Sequence, residues 1–336
     1  MSNNSNMTWN QSKMALESMI IICVWLPIYF IGFFANIFVC LTILEHFKFR
    51  SSLYRLIFSS AASDALGDAC ILAYLGMTLL LSYLDHSLLW PVGNIMCKVF
   101  GLFIFATYFI SIFTLTFLSI DRYYSVVKLR KPTLSTNWRT TNVAFITWIG
   151  GFILAAPFYW IYHLPKKPSR YCDFGLISTL WGRFYAALLL IVIILIPFII
   201  IIYCYTRVAK KIYAVNPTSS LNHSHRLPRG YKGAIQMIMA VTGITLISAL
   251  TIQSTLIIAA FESFQSKATP AHHIHSTFMS VTILLTAALL LSVMRPFIYC
   301  KFNASFRRCY CSTLKFYFYG FALASSTSAG NNYNDN

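Results

Sequence analysis

Several groups of residues in this sequence carry side chains capable of chemistry. Asp64, Asp68 and Arg295 lie inside long apolar runs. A charge there is costly and faces a bundle interior or water, so each is a functional candidate by position alone. Asp121-Arg122-Tyr123 closes another apolar run. Nine cysteines can pair, pack or carry lipid. His272, His273 and His275 form a tight group that could take up a proton or a metal; an idle polar loop is the plainer reading, and no metal site is expected. There is no His-rich metal motif, no Gly-x-Ser-x-Gly turn and no phosphate-binding loop. The chain is therefore expected to be no enzyme and to hold no cofactor.

The elements that must position these residues are apolar. Of the 336 residues, 57% are hydrophobic and 10% charged, where soluble domains carry about a quarter charged. The mean hydropathy is +0.65. A bilayer core about 30 Å thick needs roughly 20 apolar residues as a helix. Seven runs meet that need, at about 18–44, 53–82, 95–126, 140–163, 181–213, 232–261 and 274–300. Helices pair their backbone groups within one segment, and no alternating strand pattern competes. The fold class expected is all-α, a seven-transmembrane helix bundle, with a short amphipathic eighth helix over 301–319. Residues 1–17 form an outer tail, and 320–336, rich in Ser, Thr, Ala and Asn, read as a disordered inner tail. No cleaved signal peptide is expected; the first run is too long for one.

Orientation follows from charge. The net charge is +17. With the N-terminus outside, most of the 26 basic residues fall on inner loops and inner helix ends, as the positive-inside rule requires. That placement favours a membrane over nucleic acid as their partner. Sequons at Asn3, Asn6 and Asn10 cluster in the outer tail and mark glycosylation. Under this topology only Cys97 and Cys172 reach the oxidising side, and their disulfide would clip the third run to the second outer loop. Cys309 and Cys311 follow the last run on a juxtamembrane helix, a setting for palmitoylation.

Residues within the runs narrow the reading. Asp121-Arg122-Tyr123 lies at the inner end of the third run, with Arg122 25 residues after Cys97. Asn36 lies in the first run, Ala61-Ala62-Ser63-Asp64 in the second, and Trp90-Pro91-Val92-Gly93 before Cys97. Trp148 centres the fourth, Pro197 and Tyr205 mark the fifth, Pro296 and Tyr299 end the seventh, and Phe306 follows. In this order and spacing, residues 20–312 resemble the rhodopsin-like G-protein-coupled receptors. The resemblance implies that Asp121 holds Arg122 at rest and that Tyr205 and Tyr299 approach it on activation. It also implies that Asp64 and Ser111 help bind sodium. The partners it implies are a heterotrimeric G protein, arrestin and a receptor kinase, besides membrane lipid, at the plasma membrane.

Departures from the family pattern are informative. Arg295 stands before Pro296, where the family has Asn or Asp. A buried arginine is tolerable only when paired. Asp64 and Asp68 lie one turn apart on one helix face, so an internal ion pair of Arg295 with one of them is expected in place of sodium; the alternative is that Arg295 reaches the inner headgroups. The sixth run lacks the family's Cys-Trp-x-Pro, and no acidic residue lies over 231–236 to lock Arg122. Weak locking and high basal signalling are the expectation.

Ligand candidates follow the same logic. Ile104 stands where amine receptors carry Asp, and Leu289 where opsins carry Lys. With Phe105 and Tyr108 they make an apolar pocket with one polar handle. Lys166, Lys167 and Arg170 make the second outer loop basic, which suits peptides or acidic lipids. The function expected is a receptor passing an extracellular ligand signal, peptide or lipid-like in preference to amine or retinal, to G proteins. Beside it stand a non-signalling or constitutively active protein of the same fold and a membrane transporter, for which no repeats or paired broken helices are seen.

Overall fold

The computed structural model describes residues 21–46, 51–83, 86–128, 137–165, 172–174, 179–214, 231–265, 287–288 and 291–331. Among them, six helical segments are long and apolar enough to cross a membrane: Cys23–Glu45, Ser52–Leu81, Trp90–Val126, Thr140–Ile161, Leu180–Lys211 and Ile235–Thr255. These are the first to sixth spans. The seventh run is described at residues 287–288 and from 291 onward, closing as the helix Met294–Phe302. A terminal helix, Ala304–Asn331, follows. It continues past residue 320, where disorder was expected; residues 321–329 hold no proline to stop it.

Prolines mark most irregularities in the helices. The fourth span turns at Ala156 and Pro157 and resumes for one turn, Phe158–Ile161. The fifth span widens into a π-helical stretch, Leu190–Leu195, just before Pro197, with the Ile196 N–H reaching back to the Ile191 carbonyl. A similar turn, Ile21–Trp25, precedes Pro27. Proline cannot donate a backbone hydrogen bond, and a wide turn absorbs the mismatch. The sixth span has no such break and runs unbroken within Tyr231–Gln265. The helix of the third span begins at His86, taking in Trp90-Pro91-Val92-Gly93.

Small residues let the helices approach. A Cβ on Gly151 would lie 2.5 Å from Ile110 Cγ1, and one on Gly67 would lie 2.9 Å from Thr107 Oγ1. Close backbone approach of this kind drives helix association where lipid supplies no hydrophobic force. The third span is the central one and the most buried. Phe145, Ile153, Ile199 and Ile247 face outward, as lipid contact requires.

The two ends of the bundle differ. At one, β1 (Tyr162–His163) pairs antiparallel with β2 (Asp173–Phe174). The Cys97–Cys172 disulfide joins this hairpin to the third span, with Cα atoms 5.7 Å apart. Trp90 Nε1 donates to the Leu164 and Pro165 carbonyls at 3.1 Å, and the Leu164 N–H donates to Asn94 Oδ1 at 3.1 Å. At the other end, the terminal helix packs on the first span. Phe306 is buried beside Tyr299 and Tyr54. Thr313 donates to Glu45 at 3.0 Å. A further bond to the Glu45 carboxylate raises the Tyr317 hydroxyl above its ordinary pKa.

Candidate functional site

The charged residues of the interior converge. On the helix Met294–Phe302, Arg295, Pro296, Ile298 and Tyr299 are buried, one helical stripe facing inward. On the second span, Ser60, Asp64 and Asp68 stand one turn apart and are all buried. Ser111 faces them from the third span and Thr245 from the sixth.

Arg295 fills the space between these helices and is 0% exposed. Its Nη1 lies 2.6 Å from Asp64 Oδ2, 2.7 Å from Ser60 Oγ and 3.2 Å from Ser111 Oγ. Its Nη2 donates to Thr245 Oγ1 at 3.0 Å. Ser111 donates in turn to Asp64 Oδ1 at 2.9 Å. Of the two acids considered for the ion pair, Asp64 is therefore the one engaged. The full burial is incompatible with a side chain reaching for headgroups. One guanidinium ties the second, third, sixth and seventh helices, and this combination of charge pairing with several hydroxyl acceptors is what makes a buried arginine tolerable.

Asp68 lies one turn closer to the disulfide end. Its Oδ2 is 3.3 Å from Asn36 Nδ2, which also lies 3.1 Å from the Gly32 carbonyl and 3.2 Å from the Ser292 carbonyl. Asn36 thus joins the first span to the second and seventh. Above Asp64 is a cavity of about 40 Å³, lined among others by Asp68, Ile104, Phe105, Thr107, Tyr108 and Ser292. Three of the four residues proposed as ligand contacts meet here; Leu289 lies outside the described residues. Phe105 stacks on Phe158 with ring centroids 3.6 Å apart.

The terminal-helix end carries Asp121-Arg122-Tyr123. Arg122 pairs with the neighbouring Asp121, and both are buried. Tyr205 shares a hydrogen bond with Thr242 of the sixth span at 3.0 Å. Tyr299 packs against Phe306, and both tyrosines belong to one apolar cluster with Leu115, Leu118, Met237 and Ile238. Tyr123 instead joins a neighbouring cluster with Val126, Cys204, Val208 and Ile235. Of the two cysteines placed on the terminal helix, Cys311 is exposed and Cys309 is buried. A thioester-linked lipid needs an outward sulfur, so only Cys311 suits acylation. Asn3, Asn6, Asn10, the three histidines and the basic loop residues Lys166, Lys167 and Arg170 lie outside the described residues.

Ser60 and Thr245 are the residues that sequence reasoning missed as partners of Arg295. Ser60 was legible as the next position on the Asp64 face. Thr245 was not, because nothing in one sequence says which hydroxyl of a Thr- and Ser-rich helix meets a distant guanidinium.

The chain is similar to known proteins. A family model described as 7 transmembrane receptor (rhodopsin family) matches residues 35–299. A Xenopus laevis protein, type-1 angiotensin II receptor A, is 28% identical over 325 residues, covering 91% of this chain and 83% of the relative. A RYamide receptor of Tribolium castaneum is 23% identical over 297 residues, 83% and 76% of the two chains. A mouse protein, probable G-protein coupled receptor 33, is 31% identical over 170 residues, 42% and 48%.

Proposed function

Because the chain belongs to the rhodopsin family of seven-transmembrane receptors, a family of signalling receptors and not enzymes, we propose that it carries an extracellular signal across the plasma membrane to heterotrimeric G proteins. The observation that carries this reading is the buried Asp121–Arg122 pair beside a cluster holding Tyr205 and Tyr299. A cation held by its own neighbour can be released to a partner, and the two tyrosines stand ready to take it up. The N-terminus lies outside: inner loops collect the basic residues, and the disulfide marks the opposite, oxidising end. Asn3, Asn6 and Asn10 then carry glycans and Cys311 carries the acyl chain. Ser and Thr residues of the tail offer sites for a receptor kinase and then arrestin.

The ligand is a peptide. Two similar proteins are named for angiotensin II and RYamide. Ile104 removes the carboxylate that an amine would need, and the outer loop is basic. The ligand enters at the disulfide end and meets Ile104, Phe105 and Tyr108.

The test is G-protein activation in cells expressing the chain without added ligand, with Arg122→Ala beside it at matched surface level. A basal signal above mock cells, lost in Arg122→Ala, is expected. Equal signals from both would remove Arg122 from the switch. Silence of the wild type across all G-protein classes would favour a second reading, a non-signalling receptor, for which the bond from Arg295 to Thr245 of the sixth span speaks.

A further inference from the structure

The fifth and sixth spans part in the inner half of the bundle. The sixth packs on the outer part of the fifth, Leu180–Leu195. Beyond Ile196 the fifth leans instead on the third. Between the two helices a groove of about 650 Å³ opens sideways, within the range of ligand pockets, about 300–1,000 Å³. The geometry points to a site for one anionic phospholipid of the inner leaflet, with an acyl chain along the groove and the headgroup on Lys210.

Two helical stripes make the walls. Ile202, Thr206 and Ala209 line one side, and Met239, Gly243 and Leu246 the other. Each set steps by four and then three residues, so each wall is a single helix face about 10 Å long. Ile202 and Met239 are exposed at the mouth, which therefore faces the hydrocarbon of the bilayer. The middle of the groove is open because a small residue stands there: a Cβ on Gly243 would meet nothing within 4 Å. The floor is the hydrogen bond between Tyr205 and Thr242, both buried. With those hydroxyls spent on each other, the lining suits hydrocarbon.

Charge at the inner end of the groove selects the headgroup. Lys210 is exposed and lines the groove. Arg207 lies instead over the Tyr203 ring, 5.7 Å from its centroid, and Lys211 stands outside the lining. The sequence holds no acidic residue between Asp173 and Glu262, so neither helix at this end, nor the loop joining them, can neutralise these cations. The acids of the neighbouring helices are engaged, Asp121 by Arg122 and Glu45 by Thr313. An anionic headgroup supplies the missing charge; a sterol or a neutral lipid would leave Lys210 unmatched. From Ile202 to Lys210 the helix rises about 12 Å, so a phosphate on the ammonium lets the chain run along the groove past Tyr205. That this end lies in the inner leaflet rests on the orientation proposed above.

Photo-crosslinking reads occupancy and not signalling, so it stands apart from the receptor reading. The full-length protein is placed in phosphatidylcholine nanodiscs doped, in both leaflets, with phosphatidylserine or phosphatidylcholine bearing a photoactivatable acyl chain. Adducts are mapped by mass spectrometry. Adducts of the serine lipid on Ile202, Met239 or Leu246 should exceed those of the choline lipid about fivefold, the worth of one lysine beside an anionic headgroup. Lys210→Gln should bring the two lipids close to parity. Lys211→Gln should leave the preference unchanged, and Gly243→Leu, which fills the open middle of the groove, should remove the adducts of both. Should Gly243→Leu fail to fold, the wild type and the two lysine variants decide alone. Equal adducts from the two lipids on the wild type would overturn the inference, since the groove would then hold neutral lipid. So would a full preference in Lys210→Gln, or adducts undiminished in a folded Gly243→Leu. An equal loss in Lys211→Gln would overturn it too, reducing the effect to general surface charge.

Discussion

Arg295→Met should destabilise the bundle more than the double change Asp64→Asn/Arg295→Met. Methionine keeps much of the volume and removes the charge. Four contacts disappear, to Asp64, Ser60, Ser111 and Thr245. The hydroxyls lose little: Thr245 already donates to the Val241 carbonyl at 2.9 Å, and Ser111 keeps its bond to Asp64. The deficit therefore falls on the Asp64 carboxylate, left buried with only a hydroxyl for company. Removing one partner of a buried pair costs about 3–5 kcal/mol. Replacing both is often near neutral, and about 1–2 kcal/mol is a fair ceiling here. The double variant should then be more stable than Arg295→Met by roughly 2–3 kcal/mol, and the coupling energy, which also subtracts the cost of Asp64→Asn, should be larger than that. The assay is an apparent melting temperature in detergent at fixed pH and salt, for wild type, Asp64→Asn, Arg295→Met and the double variant. At about 2 °C per kcal/mol, Arg295→Met should fall by roughly 6–10 °C and the double variant by about 2–4 °C. A double variant as unstable as the sum of the two singles would refute the argument, as would a single Arg295→Met that melts like wild type.

Three other outcomes follow from neighbouring features. Thr245→Val removes the bond from Arg295 to the sixth span, worth about 1.5–3 kcal/mol for a charged donor; ligand-free G-protein activation should rise several-fold over wild type, and an unchanged signal would break the link. Gly151→Ala puts a methyl group 2.5 Å from Ile110 Cγ1 and 3.1 Å from the Ala106 carbonyl; a loss of about 1–3 kcal/mol is expected, read as a lower melting temperature with no change in basal signal. Cys172→Ser opens the link between the third span and the hairpin, with a loss of about 2–4 kcal/mol; dithiothreitol should lower the melting temperature of the wild type and leave the variant unmoved.

Much of this architecture could be read from one-dimensional pattern, because a bilayer imposes length and polarity on each crossing. The need to place Arg295 beside an acid came from the same physics: a lone guanidinium in an apolar run demands a partner. The partner's identity did not. Asp64 and Asp68 share a helix face, and only the phase of the seventh helix against the second decides between them. Cys97 and Cys172 followed from topology, since few cysteines reach the oxidising side. The two cysteines after the last span looked alike by sequence, yet two residues along a helix is a turn of about 200°, which buries Cys309 and exposes Cys311. Helix ends were the least legible, as at His86, where the residues before the third run are apolar enough to continue its helix.

The π-helical stretch before Pro197 also sets the phase of the fifth span. A wide turn carries one residue more than an α-turn, and so rotates everything beyond it by about 100° relative to an uninterrupted helix. Its trace is visible locally, where the adjacent Ile193 and Ile194 are both buried. The same rotation aims Tyr205 at Thr242, nearly three turns further on. Proline and wide turn thus act as a vernier, setting the angle of a hydroxyl far along the helix without touching it. Closing the wide turn with no residue removed would swing that hydroxyl away from Thr242, whereas trimming one residue from Leu190–Leu195 as the turn closes would keep its angle.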